Sequence, residues 1–148
     1  MYETILLPTD GSDASHAAAL HAGTLAETSG ATVHVVSIAD SRNRFESPSS
    51  GLAPEVWEEA ERDRAETAIE ETVARLPDGV AIERTVAIGI PEDEILESIE
   101  RLDADAVVMG THGRSGLDRY LVGSVTERVV RQSPVPVLTV SGDSDADE

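Results

Sequence analysis

Short apolar runs and longer amphipathic stretches take turns along this chain. Thr4-Ile5-Leu6-Leu7-Pro8 is an apolar run closed by proline and predicts a buried strand. Ala14 to Glu27 is alanine-rich and predicts a helix that stops near Ser29-Gly30, because glycine readily takes the left-handed conformation of a helix end. Thr32 to Ile38 is β-branched and mostly apolar, a second strand. Pro54 opens a long acidic helix on which Trp57, Ala65, Ile69, Val73 and Leu76 mark one face. Its acids (Glu55, Glu58, Glu59, Glu61, Asp63, Glu66, Glu70, Glu71) fall largely off that face and read as a solvated surface. After the turn Pro77-Asp78-Gly79, Val80 to Ile88 predicts a third strand. Pro91 to Leu102 predicts a third helix with Ile95, Leu96 and Ile99 at core spacing. Ala106-Val107-Val108-Met109 is a continuous apolar run, the pattern of a strand covered on both faces. Gly123 to Gln132 predicts a fourth helix and Pro136 to Val140 a fifth strand.

Strand and helix alternating in this way predict one α/β domain: a doubly wound, five-stranded, mainly parallel sheet with helices on both faces, Rossmann-like in architecture. Ligands in such sheets bind beyond the carboxyl ends of the strands, where strand order reverses. Two places qualify here, the turn after Pro8 and the loop after Met109. The domain is expected to span residues 1–141, with 142–148 an acidic, disordered tail. Asp40 to Ala53 has no periodicity and reads as a mobile loop that orders on ligand binding. No internal repeat is evident.

Composition narrows the chemistry. The chain has 148 residues, no cysteine and, among its 11 basic residues, no lysine. Disulfides, cysteine-ligated metals and a thiol nucleophile are excluded. Schiff-base chemistry and a lysine-dependent phosphate loop go with the missing lysine. Twenty-nine acids leave a net charge of −18, which repels nucleic acid. Such a surface suits a halophilic, salt-adapted cytoplasm, where screening shortens the range of carboxylate repulsion. No apolar stretch is long enough to span a membrane, and the first residues lack the basic and apolar regions of a signal peptide. Cytoplasmic localisation is therefore expected.

The loop after the fourth strand carries the most distinctive chemistry. Gly110-Thr111-His112-Gly113-Arg114-Ser115-Gly116 continues to Gly123-Ser124-Val125-Thr126-Glu127. Gly110 and Gly113 let backbone N–H groups approach phosphate oxygens, and Gly123-Ser124 opens a helix whose free N–H groups favour an anion. Arg114, Arg119, Arg128 and Arg131 outnumber Asp118 and Glu127 across this stretch, against the sign of the whole chain. Plainer readings stand beside these. Ser124 and Glu127 have the spacing of a capping box, and Asp10 suits a helix cap. His16 and His21 are five apart and do not share a helix face; His34 reads as packed or hydrogen-bonded within its strand. His112 lies in the loop with no partner base or nucleophile identifiable.

The spacing Gly110-x2-Gly113-x9-Gly123-Ser124 resembles the motif of the ATP-binding branch of the universal stress proteins. Three other segments are similar to that family: Ile5-Leu6-Leu7-Pro8-Thr9-Asp10-Gly11-Ser12, Gly89-x-Pro91-x2-Glu94-Ile95, and Ser133 to Val140. The resemblance covers nearly the whole chain. It implies ATP as cofactor, with Pro8, Thr9 and Asp10 at the first turn and Asp10 meeting adenosine. It implies that the Ile38 backbone bonds adenine, and that Met109, Gly110 and Gly113 line ribose and phosphates. Gly123, Ser124, Val125 and Thr126 would hold the phosphate chain, and Arg114 would pair with phosphate. Magnesium or manganese would arrive with the phosphates rather than in a protein cage. The family's topology puts the last strand at a sheet edge, which implies a homodimer through it. The implied role is a nucleotide-dependent binder or switch in the stress response, with an unknown protein client and no dedicated catalytic residue.

Rival classes differ in the residues they need. A phosphate-loop NTPase requires a lysine that is absent, and Gly113-Arg114-Ser115-Gly116 is one residue short of a serine-hydrolase elbow. The Rossmann fingerprint should follow the first strand, where only Asp10-Gly11-Ser12 stands. An ATP-pyrophosphatase-like or slowly ATP-hydrolysing enzyme remains the enzyme alternative, and a dimeric scaffold without nucleotide the other.

Overall fold

A computed structural model describes residues 2–41, 54–111 and 123–142. Its elements are β1 (Thr4–Pro8), α1 (Asp13–Ser29), β2 (Thr32–Asp40), α2 (Pro54–Val73), β3 (Ile82–Gly89), α3 (Pro91–Arg101), β4 (Ala106–Gly110), α4 (Ser124–Gln132) and β5 (Val137–Val140). All strand pairs are parallel, in the order β3-β2-β1-β4-β5. The expected doubly wound α/β sheet is what forms. The loop expected over Asp40 to Ala53 lies outside the described residues from 42 onward, as does the tail from 143. Among the described residues no helix is long and apolar enough to cross a membrane.

The central strand explains its own composition. Side chains alternate between the faces of a strand, so a strand covered on both sides must be apolar at every position. Ile5 and Leu7 enter the core beneath α1 and α2, with Val33, Val35 and Ile69. Leu6 enters the opposite core beneath α3 and α4, with Ile95, Ile99, Val107 and Val129. All three β1 side chains are fully buried.

Helix α1 approaches the sheet on alanines, Ala14, Ala18, Ala22 and Ala26, all buried. Ser12 caps it by accepting from the Ser15 N–H at 3.2 Å, and Gly30 ends it at φ +79° with its N–H on the Ala26 carbonyl. Boundaries move where tertiary pairing outweighs local pattern. β2 continues past Ile38 to Asp40 because Ala39 and Asp40 pair with Ile88 and Gly89. β3 begins at Ile82 rather than Val80, whose N–H is held by the Pro77 carbonyl in the turn.

Candidate functional site

From β1 the chain winds outward to β2 and β3, then returns across the sheet to β4. Connections leaving β1 and β4 therefore diverge, and a crevice opens beyond their carboxyl ends. A cavity of about 330 Å³ lies there, of the size that takes a small organic ligand.

The β1 turn forms its floor. Thr9 is buried, its Oγ1 2.7 Å from Thr72 Oγ1 of α2, and its N–H donates to the Val36 carbonyl. Gly11 adopts φ +81°, a conformation that favours glycine, and its N–H donates to Thr9 Oγ1. Asp10 Oδ1 accepts from the Ser12 N–H at 3.0 Å and from Ser15 Oγ at 2.9 Å. Capping of α1 thus belongs to Ser12. Asp10 braces the turn and borders the cavity.

The β4–α4 side is mostly backbone. Gly123 is the N-cap of α4, and among the described residues no side chain caps this end. The expected capping box does not form: Ser124 is already the first helical residue, and the Glu127 carboxylate accepts instead from Arg131 at 2.7 Å. The first N–H groups of the helix, at Ser124, Val125 and Thr126, are left with the positive end of its dipole beside the cavity. Thr126 Oγ1 donates to the Gly110 carbonyl at 2.7 Å and pins the helix to the strand. Gly110 itself has a packing cause. A Cβ there would stand 2.6 Å from Ala14 Cβ and 2.8 Å from the Ala14 carbonyl carbon, so α1 could not lie where it does.

Local arginine excess is a weaker signal than the sequence suggests. Arg128 pairs with Asp93 at 3.0 Å and approaches Glu92 at 4.0 Å, both in the first turn of α3, while Arg131 holds Glu127. Arg114, Gly113 and His112 lie outside the described residues. Every other anticipated site residue lines the one cavity: Pro8, Thr9, Asp10, Ile38, Met109, Gly110, Gly123, Ser124, Val125 and Thr126.

The third side, from β2 and α2, was not anticipated apart from Ile38. Ser37, Ala39 and Asp40 join Ile38, while α2 adds Glu61, Arg64, Ala65 and Ala68. Glu61 departs from the reading of the α2 acids as a solvated surface, for only 9% of it is exposed. Its spacing carried the signal. Glu61 lies four residues after Trp57 and four before Ala65, inside the stripe that faces the sheet.

Of the described histidines, His16, His21 and His34, none lines the cavity. His34, in β2, has Nε2 2.7 Å from Thr85 Oγ1 and Nδ1 3.3 Å from Glu83 Oε1, as expected of a hydrogen-bonded strand histidine. Burial holds its pKa below the ordinary value, against the opposing pull of Glu83. Among the described residues no group of three or more histidine or acidic side chains is placed to hold a metal.

A family model described as universal stress protein family matches residues 1–141. Universal stress protein MJ0531 of Methanocaldococcus jannaschii is 39% identical over 145 residues, covering 95% of this chain and 82% of the relative. The solved structure of protein MJ0577, of the same organism, superposes with a TM-score of 0.73 at 31% identity, over 95% of this chain and 96% of that one. A universal stress protein crystallised in complex with cAMP superposes with a TM-score of 0.61 at 29% identity, over 95% and 98% of the two chains. By its sequence and by its fold, the chain belongs to the universal stress protein family.

Proposed function

We propose that this chain binds ATP in the crevice between β1 and β4 and serves the stress response as a nucleotide-dependent binder or switch. The observation that carries the proposal is the meeting of a cavity at the topological switch point with a helix N-terminus that no side chain caps among the described residues. Adenine lies against the Ile38 backbone at the end of β2, and Asp10 meets the adenosine half. The phosphates lie along Gly110 and the N–H groups of Ser124, Val125 and Thr126. Gly113 and Arg114 complete the phosphate side, and magnesium or manganese enters with the phosphates. A relative that crystallises with cAMP supports an adenine ligand.

Two features favour holding ATP over hydrolysing it. Among the described residues, those lining the β4–α4 side, Met109, Gly110 and Gly123 to Thr126, bring no carboxylate to orient a water on the phosphates. The described acids that do border the cavity, Asp10, Asp40 and Glu61, come from the turn after β1, from β2 and from α2. The test is calorimetry with ATP and magnesium at high potassium, with mass spectrometry of the gently purified protein. Bound, intact ATP is expected. No measurable binding of any adenine nucleotide would remove the proposal, and turnover on the order of 1 per second would recast it as an enzyme.

Assembly and environment belong to the same proposal. β5 is an edge strand with Leu138 exposed, and a two-fold axis would pair it with its own copy in a homodimer. Light scattering should show a dimer that Leu138→Asp converts to a monomer. The cytoplasm proposed for it is salt-rich, and with −18 net charge the melting temperature should climb as potassium chloride is raised.

A further inference from the structure

Glu61 has no part in the glycine loop, in the packing of the cores, or in any role the family resemblance supplies. A carboxylate that is nine-tenths buried needs donors, because burial strips it of water. Among the described residues its partner is the Arg64 guanidinium, with Nη1 3.6 Å from Oε2, an ion pair too long for a hydrogen bond. Both side chains line the cavity, Arg64 half-exposed and Glu61 nearly buried. The two other carboxylates that border the space differ from it. Asp10 spends Oδ1 on its own turn, and both Asp10 and Asp40 engage further partners within the protein.

The surroundings indicate which part of a ligand comes here. Ile38 and Ala39 of β2 and Ala65 and Ala68 of α2 give small apolar walls, suited to the faces of a planar base. The uncapped end of α4 lies on the far side, past β1 and beyond β4. Neighbouring strands are about 4.8 Å apart, which puts the ends of β2 and β4 roughly 10 Å from each other. A nucleotide spans such a distance with its base at one end and its phosphates at the other. Glu61 is the acceptor at the base end.

We propose that Glu61 determines base specificity by accepting a hydrogen bond from the exocyclic amino group of adenine, with Arg64 holding its carboxylate in place. This rests on the ATP reading above. A carboxylate can only accept, so a base with a keto oxygen at the same position meets repulsion instead of a bond. A glutamine there can turn its amide and satisfy either base.

The experiment compares ATP with inosine triphosphate, whose base carries oxygen in place of the amino group, by calorimetry on wild type and Glu61→Gln. Wild type should prefer ATP by about tenfold to a hundredfold, the cost of leaving one buried polar group mispaired. Glu61→Gln should shrink that preference by about tenfold, chiefly by improving inosine triphosphate, since its amide serves either partner while the Ile38 backbone is left unchanged. A merely structural Glu61–Arg64 pair would lower both affinities together and keep their ratio. Equal affinities in wild type, or a preference undiminished in Glu61→Gln, overturn the assignment while leaving ATP binding intact. Failure of wild type to bind either nucleotide overturns the assignment together with the reading it rests on.

Discussion

The two sides of the cavity are made of different material. On the β4–α4 side the lining is mainly backbone: the end of β4, the N-cap Gly123 and the first N–H groups of α4. On the β2–α2 side much of it is side chain, with two acids and an arginine set among alanines. A backbone site is written in the sequence as missing side chains, which is why glycines and a serine announce it. A side-chain site built on a helix is written inside that helix's own periodicity, where one acid resembles all the others. The first kind announces itself ambiguously and the second hides.

Gly110 and Gly113 give the sharpest way to break this comparison. Both look like phosphate-loop glycines, yet Gly110 is required by α1: any Cβ there runs into Ala14, including its backbone. Gly110→Val should therefore destabilise the fold by about 3 kcal/mol, at the upper end of what overpacking costs, read as a lower urea midpoint with an unchanged slope. Gly113→Val should leave the urea midpoint nearly where it was and abolish ATP binding in calorimetry. If Gly110→Val proves as stable as wild type, its missing side chain belongs to the ligand after all. If Gly113→Val keeps full ATP affinity, the phosphate side has been placed wrongly.

Legibility in the sequence followed the same division. Every strand and helix could be read, because β1 from Ile5 onward and β4 throughout are apolar while the helices carry one apolar stripe. Errors at the carboxyl ends of β2 and β3 came from pairing between segments some fifty residues apart, such as Ala39 with Ile88, which no local window contains, while the start of β3 was shifted by the turn bond from Val80 to Pro77. At the site, the strand ends and α4 could be placed by topology alone. The reasons behind single residues could not. The packing need for Gly110 depends on how closely α1 lies, the capping box lost Glu127 to Arg131, and Arg128 was drawn off to Asp93. Glu61 needed its stripe to be compared with Trp57 and Ala65 rather than with its acidic neighbours.

A smaller effect sharpens the comparison within one turn of α4. Ser124 and Thr126 both belong to the expected phosphate-binding run, but only Thr126 has a buried hydroxyl, donating to the Gly110 carbonyl. Thr126→Val removes that donor, leaves the carbonyl unpaired, and should cost about 1–3 kcal/mol. Ser124→Ala should cost less than ~0.5 kcal/mol, since its side chain caps nothing. The pair is compared by thermal melting without nucleotide. A larger loss at Ser124 than at Thr126 would mean that the helix end is capped after all, and the argument for an anion there would weaken.

The smallest effect concerns the strand behind the side-chain-built wall. His34 sits in β2 on the same face as Val36 and Ile38, next to Leu6 of β1 and Glu83 of β3. Burial depresses its pKa below 6.5; the Arg101 charge adds to this, and Glu83 works in the opposite direction. A depressed folded-state pKa means that folding favours the neutral imidazole. The stability gained is complete above the unfolded value and is lost as pH falls through the lowered folded one. The chain should therefore lose stability as pH drops below about 6.5, where an unfolded histidine begins to take up its proton. Asp105 acts with the same sign in a separate window. Its carboxylate accepts from the Glu3 and Thr4 N–H groups, which lowers its pKa, so its contribution fades only below 3.8. His34→Gln should flatten the stability curve between pH 7.5 and pH 5 and leave ATP affinity at pH 7.5 unchanged, because the imidazole does not line the cavity. Parallel curves for the variant and wild type would show that the imidazole titrates alike in the folded and unfolded chain. A change in ATP affinity would extend the working wall of the site down β2, from Ile38 to the Thr85 and Glu83 contacts of His34.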